Sequence, residues 1–451
     1  MNRNSGGCSL RKRAIFLTVF LLPAAIHISF GADHEYSLDR CIVLGLERSP
    51  RAVNARRDQS IADERIGQAK ALVFPHLSFL GEYTRLDELQ DFEVGDETFE
   101  FGTLDNYSVS ASVSQLLYAG GKVGAALRAG SLTRRQAEWG LLGTENRLVK
   151  DIRVGFHRLL LSKDSVKVMQ FSVEQLKAFL RQTEQKHANG AAAEFDVITA
   201  KVRLANETPL LISSSNTYEL AAADFKRLIN LDDEPFEPRG ELAFKEWKPD
   251  LEELRRRALV HRAELHEAEV LVDLRREAAV SAMSDGLPSL SAALTYTGAN
   301  SYQFAGFEEE WEWHWNAGLA LTWNFWDGGL TRASVRQKEL ELAKARTELD
   351  DFVKSIELDV TRAFLDMKAA REAVGAGAGN VELARKALEI AQARHKAGLS
   401  TYLEFTDANL ALSRARLTHL RAMHDHMNAV AQLEYACGMH NRPPDGAAEV
   451  R

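Results

Sequence analysis

Cysteine and proline are scarce in this chain, 3 and 10 residues of 451, so neither a disulfide framework nor a proline-rich linker architecture is available to it. Positive charge is not in excess either. Lys and Arg number 56 against 64 Asp and Glu, for a net charge of −8, and no basic run lies beyond the N-terminus, which removes the electrostatic footprint of a nucleic-acid binder. Long apolar runs are missing past Phe30. A helix needs about 20 apolar residues to cross a bilayer, so any membrane-spanning part of the mature chain has to be built from strands. Motifs for chemistry fail on context: "GAGAGN", Gly375 to Asn380, follows no strand, and "HRAELHEAE" and "MHDHMN" lack the H-E-x-x-H spacing of a zinc site. With no nucleophile elbow or phosphate loop, the chain reads as a non-enzyme without catalytic residues, metal or cofactor.

What is present begins with Arg3, Arg11, Lys12 and Arg13, followed by an apolar run from Ala14 to about Phe30 and then small residues. That order is a secretory signal, residues 1–31, with cleavage near Gly31 or Ala32. Cys8 precedes the apolar run, which leaves Cys41 and Cys437 in the mature chain.

The sequence repeats itself at an offset of about 208 residues. "LLYAGGKVGAAL" from Leu116 lies over "NFWDGGLTRASV" from Asn324, pairing Gly120 and Gly121 with Gly328 and Gly329. Leu148, Ile152, Phe156 and Leu159 lie over Ile356, Val360, Phe364 and Met367, one helical face stated twice. "KHANGAAAEFDVITA" from Lys186 lies over "RHKAGLSTYLEFTDA" from Arg394, pairing Gly190 with Gly398. The reading is a tandem duplication, residues 32–231 and 250–440, joined by a linker over 232–249 and followed by a tail over 441–451. Each half predicts helix, strand, loop, strand, very long helix, turn, long helix. Pro75 and Pro288 end the helices before the strands, Asp250 caps the helix after the linker, and His187 and His395, beside the two turns, are expected to be exposed.

The strands are read over Leu77–Tyr83, Asp105–Tyr118, Ser289–Thr297 and Glu312–Trp326. In the last, Trp313, Trp315, Ala317, Leu319, Leu321, Trp323 and Phe325 share one face, while His314, Asn316, Gly318, Ala320 and Thr322 share the other. Aromatics at both ends of an aliphatic band are the girdles of a membrane strand. Four such strands cannot close a barrel, for which about eight are the fewest, so several chains have to share one. From Gly121 to Gly190 the chain has few helix breakers, and a helix of that length reaches about 100 Å.

In the duplicated unit, the proline-led strands, the "YAGG" and "WDGG" turns and the pattern after each helical turn, the chain resembles the TolC family of outer-membrane channel proteins (outer-membrane factors). The resemblance covers nearly all of the mature chain. It implies a mainly α-helical protein with a membrane β-barrel portion, a homotrimer whose strands form one twelve-stranded barrel in the outer membrane of a Gram-negative bacterium. The long helices would form a periplasmic tunnel that meets a periplasmic adaptor and an inner-membrane transporter. By the same resemblance Glu404 and Asp407, with Asp196 as the repeat mate of Glu404, belong to an acidic periplasmic entrance. Gly190, and Gly398 with Leu399, mark the tips that touch the adaptor, although the first tip, "NGAAA", departs from the family's usual form. Trp313, Trp315, Leu319, Leu321, Trp323 and Phe325 face outer-membrane lipid. The family's fold also brings both chain ends to one level, which raises a Cys41–Cys437 disulfide beside the alternative of two buried thiols. The acidic segments "RLDELQDFEVGDETFEFGTLDN" and "FEEEWE" fall in the two outer loops. An exit channel of an efflux or export system is the first reading, the channel of a dedicated type I protein secretion system the second, and a soluble periplasmic coiled-coil scaffold the third.

Overall fold

The computed structural model describes residues 35–94, 97–101, 103–231, 235–300, 311–397 and 399–439. The signal segment, Gly398, most of "FEEEWE" and the tail over 441–451 lie outside the described residues. The first half runs β1 (Glu35–Tyr36), α1 (Leu38–Arg48), α2 (Pro50–Ala71), β2 (His76–Arg85), β3 (Gln90–Val94), β4 (Glu97–Phe101), β5 (Asp105–Ala119), α3 (Lys122–Ala188) and α4 (Glu194–Ile229). The second runs β6 (Glu237–Pro238), α5 (Leu251–His261), α6 (Ala263–Ser284), β7 (Ser289–Ala299), β8 (Glu312–Thr322), α7 (Leu330–Lys396) and α8 (Tyr402–Ala436).

Local chemistry explains most boundaries. Ser37 caps α1 by accepting from the N–H of Arg40 at 3.3 Å, and Asp250 caps α5 by accepting from Glu253 at 3.0 Å. Where one helix per half was expected before the strands, there are two. Pro50 occupies the first turn of α2, where its missing N–H costs nothing, and Arg262 adopts extended backbone between α5 and α6. The prolines do not end the helices as expected: α2 stops at Ala71 and α6 at Ser284, and Pro75 and Pro288 instead lead straight into β2 and β7. An unexpected hairpin, β3 with β4, occupies part of the acidic segment after β2.

The helices α3 and α7 each have 67 residues, so each extends about 100 Å at about 1.5 Å per residue. The helix α3 is the spine, packing on α2 and α6 along its first part and on α4 and α8 along the rest, while α7 packs on α6 and then α8. Two helical layers result, α2–α3–α6–α7 and α4–α3–α8–α7. Their apolar seams are the repeated face: Leu148, Ile152, Phe156 and Leu159 are buried, as are Ile356, Val360 and Met367, with Phe364 partly so. They belong to two separate cores. Cys41 sits in the first with Ile152 and Phe225, and Cys437 in the second with Val360 and Leu433. Both thiols are therefore free and buried, which corrects the disulfide expectation. Short β1 pairs in parallel with β6 and ties the start of the chain to the linker.

Candidate functional site

Four strands form one antiparallel sheet in the order β2-β5-β7-β8. Its register aligns the period-two pattern of every strand. Trp315 lies opposite Tyr296, Tyr296 opposite Ala111 and Ala111 opposite Phe79, and Leu319 lies opposite Ala292. On the other face Asn316 meets Thr295, which meets Ser112, which meets Ser78, and the two serine hydroxyls are 2.6 Å apart. One face is thus mainly an apolar sheet surface and the other mainly a small-polar one, with Leu80 and Leu116 exceptions on the polar side and Gln115, opposite Ala292, on the apolar side. Trp313 stacks on Tyr296 with ring centroids 5.3 Å apart and lies over Gly298, where a Cβ would come within 2.8 Å of the indole. Trp313, Trp315, Leu319 and Leu321 are all exposed in the single chain.

Trp323 and Phe325 do not belong to the strand, because β8 ends at Thr322 instead of Trp326. The indole N–H of Trp323 donates to the carbonyl of Gly286 at 3.2 Å, and the next residues turn into α7. Both remain exposed, beyond the sheet edge. At that turn Asp327 accepts from the N–H of Gly329 at 2.9 Å and from the N–H and hydroxyl of Thr331 at 2.7 and 2.5 Å. These bonds hold its carboxyl below the usual carboxylate range. Gly121 and Gly329 cap α3 and α7 with φ of 94° each, a left-handed backbone that glycine adopts without strain.

At the far end of the long helices lie two turns of the same form. The N–H of Ala191 donates to the carbonyl of Lys186 at 2.7 Å and that of Leu399 to the carbonyl of Arg394 at 2.9 Å, each closing a helix C-terminus, with Gly190 left-handed. Leu399 is exposed. The imidazole Nδ1 of His187 pairs with the carbonyl of Ala192 at 3.0 Å, and that of His395 with Ser400 at 3.4 Å. His395 is not simply exposed as expected. It is partly buried and packs on Phe179, which stacks on Phe405 at 4.7 Å. Burial and nearby Lys186 lower its pKa, opposed by Ser400 and Asp196.

The three acidic residues are differently placed. Glu404 and Asp407 both lie on the exposed side of the first turns of α8, whose N-cap is Thr401. Each has a cation beside it that the sequence reading did not include: Arg394 is 4.0 Å from Glu404, and Arg203 of α4 is 3.9 Å from Asp407. Asp196 instead turns back on its own helix, accepting from the N–H of Ala193 at 3.3 Å. Among the described residues no helix is long and apolar enough to cross a membrane.

A family model described as outer membrane efflux protein matches residues 42–231 and 254–439. The chain belongs to that family. Outer membrane protein TolC of Escherichia coli is 21% identical over 445 residues, 93% of this chain and 87% of TolC. Protein CyaE of Bordetella pertussis is 28% identical over 126 residues, so that match spans only 28% of this chain and 27% of CyaE. Among solved structures, the CmeC outer membrane channel of Campylobacter jejuni superimposes with a TM-score of 0.77 at 14% identity, covering 89% of this chain and 85% of that one. Family membership makes the chain an outer-membrane exit channel, in keeping with the non-enzymatic reading.

Proposed function

We propose that three copies of this chain close one β-barrel in the outer membrane, continued by one helical tunnel through the periplasm, as the passive exit of a tripartite efflux or export system. The observation that carries this reading is the four-stranded sheet, which has an apolar face and two edges, β2 and β8, unpaired among the described residues. An unpaired edge in lipid leaves backbone N–H and C=O groups without partners, at several kcal/mol each, so the sheet needs further copies to close. Residues 32–231 and 250–440 are then two versions of one unit, and each contributes two staves and one helical hairpin.

In this arrangement Trp313, Trp315, Leu319 and Leu321 meet lipid, Trp323 and Phe325 sit at the periplasmic rim of the barrel, and Asn316 and Thr322 face the pore. The tips at Gly190, and at Gly398 with Leu399, meet a periplasmic adaptor that links the channel to an inner-membrane transporter. Glu404 and Asp407, repeated by threefold symmetry, form an acidic entrance that favours cations. Asp196 contributes less there, since its carboxylate is engaged in capping.

Strand orientation is the direct test. Leu319→Arg places a charge on the lipid face near the middle of β8 and costs roughly 2–4 kcal/mol, whereas Asn316→Arg points into water and is far milder. The expected result is loss of assembled, detergent-extracted multimer for Leu319→Arg alone. Equal assembly of the two variants refutes the orientation.

A further inference from the structure

One face of the α4–α3–α8 layer is covered by other segments and the opposite face is grooved. On the covered side the linker and the start of the chain pack on α3: Leu242 and Tyr36 join the first core with Phe156 and Leu160, and Lys163 bonds Glu237 and the carbonyl of Pro238. Arg158, Ser162, Ser165 and Met169 of α3 lie about half a turn round from these. They line a groove of about 550 Å³ walled by α4 and α8. Arg414 and Arg421 of α8 line it as well, and among the described residues none of the three arginines has an ion pair or hydrogen bond. Although the net charge of the chain is −8, α8 carries no Asp or Glu between Asp407 and Asp425, and Asp425 pairs with His424 at 2.9 Å. Arg421 stands about 10 Å beyond Arg414 along α8. The His157–Asn428 bond sets Arg158 level with Met427, about 9 Å further on. The arginines are thus rungs of a ladder that starts about 10 Å from Asp407 and rises away from the helical tips. Between the rungs the wall is apolar, with Leu161, Leu210 and Leu417. Ser162, Ser165, Thr217 and Ser413 donate to carbonyls of their own helices, so the donors left for a ligand are the guanidinium groups with Ser213 and Ser214. Glu207 is the one carboxylate lining the groove among the described residues and offsets one of the three charges; its Oε2 is buried without a hydrogen-bond partner. The repeat does not carry the ladder, since the mates of Arg158, Arg414 and Arg421, about 208 residues away, are Asp366, Asn206 and Ser213.

We propose that this groove is a binding site in the tunnel wall for an organic anion with an apolar body, a lipophilic sulfonate or carboxylate, held by Arg414 and Arg421 with Arg158 as the next rung towards the barrel. This rests on the reading of the chain as a closed tunnel. In such a tube the face covered by α1 and the linker is the outer one, because these segments from every copy would otherwise fill the bore. The grooved face therefore lines the lumen. A space of about 550 Å³ takes a drug-sized molecule. The guanidinium group is weakly hydrated and offers parallel N–H donors to a carboxylate or sulfonate, while Leu210 and Leu417 take the apolar body out of water. An inorganic anion gains only the first contribution and an apolar cation only the second, so the groove selects for the two together.

Single-channel recording of the full chain in planar bilayers tests the site, with naphthalene-2-sulfonate added on the barrel side so that the tips need not open. The parental channel should show concentration-dependent block, and sodium sulfate at the same concentrations should give none. Arg414→Gln with Arg421→Gln should raise the half-blocking concentration roughly tenfold or more, with assembly retained because neither side chain has a partner to lose. Equal block of parent and double variant, equal block by sulfate, or no block of the parent overturns the site. Its placement is read separately with Ser214→Cys. Reaction with a sulfonate-bearing methanethiosulfonate should lower the conductance of that variant and leave the parent unchanged, since Cys41 and Cys437 are buried. If the labelled variant conducts as before, the groove does not line the lumen, and the site is refuted while the channel stands. If the parental chain forms no channels, the closed tunnel is refuted and the site with it.

Discussion

At the scale of single residues, burial decides behaviour that composition leaves open. His157 is 5% exposed, and burial lowers its pKa more than the bond to Asn428 raises it; Arg153 and His424 add to the lowering and Glu434 opposes it. Its imidazole is neutral in the folded chain. The stability it contributes is complete above the ordinary imidazole value of about 6.5 and is lost as pH falls from there towards the depressed folded value. His157→Gln keeps a hydrogen-bond partner for Asn428 and removes the titration. The melting temperature of this variant should therefore fall less between about pH 7.5 and pH 5 than that of the parent, as followed by circular dichroism. His426, also buried and lowered, leaves a residual acid sensitivity in both. An identical fall in the two proteins would remove His157 as a source. Cys41 and Cys437 follow the same logic, since burial pushes their thiols up to about 12 and about 11. Nothing in the local sequence of either cysteine distinguishes a buried thiol from half of a disulfide, because that depends on which core each helix enters.

At the scale of elements, the strand-to-helix turn is made differently in the two halves. Gly121 caps α3 with no side-chain bond, whereas the three bonds of Asp327 brace the start of α7. Asp327→Ala should lower the melting temperature and expose this turn to limited proteolysis, while Gly121→Ala should be harmful through its left-handed backbone alone. The sign with pH is opposite to that of a basic group stabilised in its charged form. Because the carboxyl of Asp327 is held low, its stabilisation is present above the ordinary carboxylate value and lost as pH falls through the lowered folded one. Asp327→Ala should accordingly differ from the parent near neutral pH and converge with it in strong acid, read by melting temperature across a pH series. Strand positions were legible from alternation, since each strand keeps a period of two regardless of its neighbours. The end of β8 was not, because the alternation continues through Trp323 and Phe325 while the bond from Trp323 to Gly286 takes the chain out of the sheet. The β3–β4 hairpin was legible in principle. Phe92 and Phe99, which pair in its ladder, alternate with acidic residues on either side of Gly95, a signal hidden by the acidity of the segment.

At the scale of the whole molecule, Glu404 and Asp407 should set the ion preference of the proposed tunnel. Glu404→Gln with Asp407→Asn should reduce cation selectivity and weaken block by multivalent cations without loss of assembly, since both side chains lie on the exposed side of α8. Single-channel recordings under a salt gradient in planar bilayers report this as a shift of the reversal potential towards zero. Unchanged reversal potentials would make these carboxylates ordinary surface charges, already balanced by Arg394 and Arg203. The sequence by itself determined the faces of the strands, the great length of α3 and α7, the turns at Gly121 and Gly329, and the match between the two halves. All of these follow from periodicity and from residues adjacent in the chain. Only the tertiary structure decided that β5 and β7 lie at the centre of the sheet with β2 and β8 at its edges, that the two cysteines enter separate cores, and that Asp196 is spent on a cap while Arg203 stands beside Asp407. Apart from the Asp196 cap, a matter of rotamer, these are contacts between segments far apart in the chain. Their formation depends on how whole helices and strands pack, which no local pattern of residues encodes.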